Sequence, residues 1–82
     1  MLFDTYDVNV KLGLMIKKYR MSKGLTQEEL SFESGLHRTY IGHVERAEKN
    51  ITIKNVEKIA KGLNIDIAQL FDFSKLKEDD FK

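Results

Sequence analysis

Four times along this chain an apolar residue stands just before a candidate helix cap, and a second apolar residue follows five places later. The pairs are Leu25/Leu30, Leu36/Ile41, Ile51/Val56 and Ile65/Leu70. This is the spacing of the hydrophobic staple, which fixes how a chain enters a helix. Two of the starts also read as capping boxes, Thr26 with Glu29 and Asp66 with Gln69. With no proline in the chain and apolar residues recurring at helical rather than alternating intervals, the expectation is an all-α fold of five short helices.

The first helix is expected over 8–23, with Leu12, Met15, Ile16 and Tyr19 on its apolar face and Gly24 closing it. The second spans 27–34 and ends at Gly35, since glycine accepts the left-handed conformation of a tight exit. The third covers 38–46. The fourth, over 53–63, buries Ile53, Val56, Ile59, Ala60 and Leu63, and a fifth occupies 67–72. Residues 74–82 carry no assignment. The whole is one domain, because 82 residues supply a single small core. Such a core leaves roughly 3–5 kcal/mol of net stability. No cysteine is present to reinforce it by disulfide or thiolate metal site, so self-association is the remaining route.

Composition excludes more than it selects. No apolar run approaches the roughly 20 residues that cross a bilayer. The opening "MLFDTYDVN" carries acids and no basic segment, so it does not read as a secretory signal. The glycosylation pattern at Asn50–Thr52 is therefore read as chance. A cysteine-free chain fits a reducing bacterial cytoplasm. His37 and His43 are six residues apart, about 120° from overlap on a helix. No cysteine or third histidine completes a metal site, no serine has a base partner, and neither catalysis nor a cofactor is expected. Net charge is only +1, but every charged residue from Val8 to Gly24 is basic, while Glu78, Asp79 and Asp80 make the end acidic. That asymmetry permits a polyanion on one face.

Two short helices joined by a glycine turn, at 27–34 and 38–46, match the helix-turn-helix arrangement. There the second helix presents its N-terminal residues to base edges in the DNA major groove. Arg38 can give two parallel hydrogen bonds to guanine, and Thr39 can meet a base edge or thymine methyl. His43 lies on the same side as Thr39, while Ile41 and Val44 face the core.

The stretch "LTQEELSFESGLHRTYIGHVERAEKN" resembles the Cro/phage-repressor type of helix-turn-helix protein, and the likeness extends from about Leu12 through "NVEKIAKGLNIDIAQLF". "HRTYIGHVER" followed by "KNITI" is similar to the controller proteins of type II restriction–modification systems. The resemblance implies base contacts from Arg38, Thr39, His43 and Tyr40. It implies backbone contacts from Gln27, Lys49, Asn50 and Asn55, and a salt bridge between Arg20 and Glu45. It further implies a dimer on a palindromic operator of double-stranded DNA near its own and the endonuclease gene, with RNA polymerase as a further partner. The surface offered for dimerisation is Ile67, Phe71 and Phe73. A phage-type repressor, or an antitoxin or adaptor whose partner is a protein, is the alternative reading. Three positions depart from the pattern. Ala47 stands where glycine is common, so the turn is expected to avoid positive φ or helix 3 to run slightly further. Ser31 replaces a usual alanine, and His37 is an unusual cap.

Overall fold

Four of the five helices begin where the cap side chain takes up a backbone donor that a helix start leaves unsatisfied. At the fifth only Gln69 reaches back, to the Asp66 N–H at 2.9 Å. In the computed structural model, which describes residues 6–82, Asp7 accepts from the Asn9 N–H at 2.7 Å and opens α1 (Val8–Ser22). Thr26 accepts from the Glu29 N–H at 3.0 Å while Glu29 accepts from the Thr26 N–H at 2.9 Å, which opens α2 (Gln27–Ser34). His37 caps α3 (Arg38–Glu45) by an unusual route, its ring Nδ1 accepting from the Thr39 N–H at 3.1 Å. Thr52 caps α4 (Ile53–Leu63) and Asp66 precedes α5 (Ile67–Leu70). The expected five helices are present, and no strand occurs among the described residues. The opening residues 1–5, part of the stretch read for an export signal, lie outside the described residues.

The second member of every staple, Leu30, Ile41, Val56 and Leu70, is at most 1% exposed. Each first member is half-buried against the same core. Those residues join Leu12, Met15, Ile16, Val44, Ile59, Ala60, Leu63 and Leu76 in one cluster to which all five helices contribute. Gly13 lets α1 and α3 meet closely: a Cβ there would lie 2.5 Å from the Val44 carbonyl oxygen. A side chain at that position would push the third helix outward.

Several boundaries and one burial differ from expectation. Ile53 is 63% exposed and does not belong to the buried stripe of α4. It is the first residue of its helix and projects past the edge of the core. α1 ends one residue early, at Ser22, and α3 ends at Glu45 with Arg46 as its cap. α5 stops at Leu70, two residues short, because Phe71 and Asp72 turn the chain into a 3-10 segment, Phe73–Lys75. That turn brings Leu76 into the core at 2% exposure. A second 3-10 segment, Glu78–Phe81, lies back on α1 through Lys18–Asp80 at 3.2 Å, and on the residue before its cap through a stack of Phe81 on Tyr6 with ring centroids 4.1 Å apart. The largest correction is Ala47. It has φ +59°, so the turn after α3 does take the left-handed conformation. The Ala47 N–H bonds the Val44 carbonyl at 3.0 Å and the Glu48 N–H bonds the His43 carbonyl at 2.8 Å. This pair of bonds is the Schellman closure, which needs a left-handed residue whatever its side chain.

Candidate nucleic-acid interface

α3 buries one side and exposes the other. Ile41 and Val44 are at most 2% exposed, which turns Arg38, Thr39 and His43 outward. Gly35, with φ +75°, ends α2 in time for the next helix to start only three residues later. The two helices are thus held in a bent pair, with the outward edge of α3 unobstructed.

At the start of that edge, Arg38 is 63% exposed, and its guanidinium Nη1 donates to Glu28 of α2 at 2.8 Å. Thr39 beside it is exposed. Tyr40 is half-buried, and its hydroxyl accepts from the Asn55 side chain at 3.1 Å. Those two residues form one unit bridging α3 and α4. His43 sits one turn beyond Thr39, with Nδ1 2.7 Å from Glu48.

Beneath the edge lies a second network. Glu45, with only 3% of its side chain exposed, accepts from Arg20 Nε at 2.7 Å and Nη2 at 3.1 Å, and from the Gln27 side-chain amide at 3.0 Å. Arg20 also donates to the Leu25 carbonyl at 2.7 Å. The first residue of α2 is therefore tied to the last of α3, and α1 is tied to that same glutamate and to the turn before α2. Behind α3, Asn50 accepts from the Asn9 side chain at 2.5 Å, while Lys49 is exposed.

Four contributors escaped the reading of residues. Arg46 lies on the same face as Thr39 and His43, and donates to Glu48 at 3.0 Å. Glu28 and Glu48 each hold a basic group of the edge. Gly42 is buried and leaves room for two neighbouring side chains, since a Cβ there would lie 3.1 Å from the Arg46 guanidinium and 3.2 Å from the Gln27 amide oxygen. Of these, Gly42 had a visible signal, a glycine inside a helix where propensity disfavours it. Arg46 and His43 together hold the Glu48 carboxyl below the usual carboxylate range, Arg46 contributing most, and Glu48 raises Arg46 in turn.

On the α4–α5 side, Ile53 and Ile67 share a shallow surface depression, and Phe71 is 38% exposed. Phe73 turns partly inward, packed on the core with the Lys11 ammonium 5.0 Å from its ring centre. Among the described residues there is no group of three metal-ligating side chains and no helix long and apolar enough to cross a membrane.

The helix-turn-helix family matches residues 16–70. Control protein C.BamHI of Bacillus amyloliquefaciens is 38% identical over 73 residues, covering 88% of this chain and 90% of that protein. Control protein C.SmaI of Serratia marcescens is 41% identical over 73 residues, covering 89% and 87%. The crystal structure of the restriction–modification controller protein C.AhdI from Aeromonas hydrophila superimposes with a TM-score of 0.77 at 44% identity, over 80% of this chain and all of that one. The chain belongs to the helix-turn-helix family of transcriptional regulators, in the group that the restriction–modification controller proteins represent.

Proposed function

We propose that this protein is a sequence-specific DNA-binding regulator, the controller of a restriction–modification system, which acts in the cytoplasm and has no catalytic role. The observation that carries this reading is Arg38. Its guanidinium is more than half exposed at the N-terminal end of a helix whose opposite side is sealed into the core. A planar fork held there matches O6 and N7 of guanine on the floor of the major groove. Thr39 meets the neighbouring base edge, and His43 a base one helical turn on. Tyr40 lies at the edge of the groove, steadied by Asn55. Gln27, Lys49, Asn50 and Asn55 take phosphate oxygens, which orient the protein without reading sequence.

One α3 spans only a few base pairs, too few to stand out among genomic sites. A homodimer on a palindromic operator doubles the readout, with half-sites about 34 Å apart. The Ile53–Ile67 depression and the exposed Phe71 are the apolar surface available for it, and Phe73 braces Phe71 edge-on with ring centroids 6.2 Å apart. RNA polymerase is the partner through which a bound dimer would alter transcription.

The test is fluorescence anisotropy with DNA from upstream of the protein's own gene and with a scrambled duplex, at two salt concentrations. Selective binding that weakens steeply with salt, as counterion release requires, is the expected result. Equal binding to both duplexes at either concentration defeats the proposal. Sedimentation equilibrium should return a dimer that Phe71→Lys dissociates.

A further inference from the structure

Glu48 lies outside α3, yet the chain folds it back onto that helix. The left-handed Ala47 and the bond from the Glu48 N–H to the His43 carbonyl place the two side chains together. One carboxylate oxygen is 2.7 Å from His43 Nδ1, and the other accepts from Arg46 Nε at 3.0 Å. With its carboxyl held low by Arg46 and His43, Glu48 is an anion at neutral pH and above. An ionised carboxylate can only accept a hydrogen bond. The hydrogen in the contact therefore belongs to the imidazole, on Nδ1, and in the neutral ring Nε2 is left as a bare acceptor. Nε2 has no hydrogen-bond partner among the described residues and is not sealed from solvent, the His43 side chain being 34% exposed. It is the atom that the outward edge presents.

We propose that Glu48 is a specificity-determining residue. By fixing the hydrogen on Nδ1 of His43 it makes Nε2 an acceptor, so that α3 selects a base carrying a major-groove amino group at the position His43 meets. Adenine offers N6–H and cytosine N4–H there, whereas guanine and thymine offer acceptors. A bare Nε2 opposite O6 or O4 would set two acceptors face to face. The inference rests on α3 reading DNA, and it adds which chemistry one of its positions reads. Arg46 serves the same end, because its single bond fixes how the carboxylate is turned.

The substitution Glu48→Gln inverts the arrangement without changing its shape. Arg46 can only donate, so the glutamine oxygen stays with it and the amide NH2 turns to Nδ1. Nδ1 then accepts, and the ring hydrogen moves to Nε2. Nitrogen-15 NMR of the free proteins at pH 8.5, where an imidazole is ordinarily neutral, should show hydrogen on Nδ1 in the wild type and on Nε2 in E48Q. Binding at the same pH to operator duplexes with each base pair varied in turn should show one position per half-site switching. The wild type should prefer adenine or cytosine there and E48Q guanine or thymine, each by about three- to tenfold, the range of one neutral hydrogen bond. H43A should lose the preference in both backgrounds. Hydrogen on Nε2 in the wild type overturns the proposal whatever the DNA results. So does an unchanged preference in E48Q at the His43-dependent position, or an H43A protein with every preference intact. A wild type that cannot tell operator from scrambled DNA overturns the reading of α3 itself, and the NMR result stands apart from it.

Discussion

Two glutamates three residues apart at the end of α3 both accept from an arginine, and they do opposite work. Glu45 has 3% of its side chain exposed, and both its oxygens are held by Arg20 and Gln27. Glu48 is 48% exposed and pairs with Arg46 and His43 at the rim. The difference lies in solvent. A buried charge must keep every partner, because water cannot replace one that is lost. An exposed pair exchanges its partners for water or phosphate at little cost. The interior network therefore fixes where the recognition helix sits, and the rim network adjusts what it presents.

The sharpest way to break the comparison is to remove the interior carboxylate. Glu45→Ala leaves the Arg20 guanidinium, 12% exposed, with only the Leu25 carbonyl as partner, and releases Gln27. Removing one member of a buried pair costs about 3–5 kcal/mol. That is comparable to the whole stability of so small a core, so urea unfolding should show the protein largely unfolded without denaturant. A loss below about 1 kcal/mol would mean that Glu45 behaves like its exposed neighbour and that the core alone holds α3.

The second expected effect concerns binding rather than folding. Arg38–Glu28 is another exposed pair, 63% and 57% open. Arg38→Ala should leave stability within about 0.5 kcal/mol, as for surface substitutions generally. It should cost about 1–3 kcal/mol in operator affinity and relax the preference at one base pair. Anisotropy against a panel of single-base variants checks it. A uniform loss on all sequences would make Arg38 a phosphate contact instead.

The interior half of this contrast was the more legible in the sequence. Staples and caps are local devices, so Leu25, Thr26, Leu36, Thr52 and Ile65 declared where helices begin. Ile41 and Val44 declared which way α3 faces, and Arg38, Thr39 and His43 were left outward by elimination. Periodicity does not say where a face runs out, however, and Ile53 continues the apolar spacing of α4 while standing 63% exposed. Nor does it reach beyond a helix end. Arg46 and Glu48 act through a turn whose left-handed residue is an alanine, and no side chain there announces the conformation. Glu28 meets Arg38 across two helices, a contact that spacing within one helix cannot register. Residues 74–82 have too few turns to show a period, and Leu76 and Phe81 take their places through tertiary packing.

That alanine supplies a third test. A non-glycine residue in the left-handed region costs roughly 1–2 kcal/mol, a strain that the Schellman bonds from Ala47 and Glu48 sustain. Ala47→Gly should relieve it and raise stability by up to about 1 kcal/mol in urea unfolding, with Glu48 remaining on His43. The rim contact would then be shown to persist without strain. A loss of stability would mean that the Ala47 side chain contributes more than its conformation costs.

The smallest effect is expected from acid, and it falls on surface carboxylates. Glu48 has a folded-state carboxyl held low by the bonds from Arg46 and His43, and Glu29 one held low by the Thr26 N–H and hydroxyl. A carboxylate whose pKa falls on folding contributes stability that is complete above its unfolded value, about 4.3 for Glu. The contribution then declines as pH drops through the lower folded value. Both groups are at the surface, so solvent screening keeps their contributions slight. Unfolding followed from pH 6 to pH 3 should therefore show the wild type losing stability mainly below about pH 4.5. Glu48→Gln should remove only a shallow part of that slope and leave the melting temperature at pH 7 almost unchanged. A steep loss in the variant at pH 7 would place Glu48 among the structural groups, beside Glu45, and the division between a fixed interior and an adjustable rim would not hold.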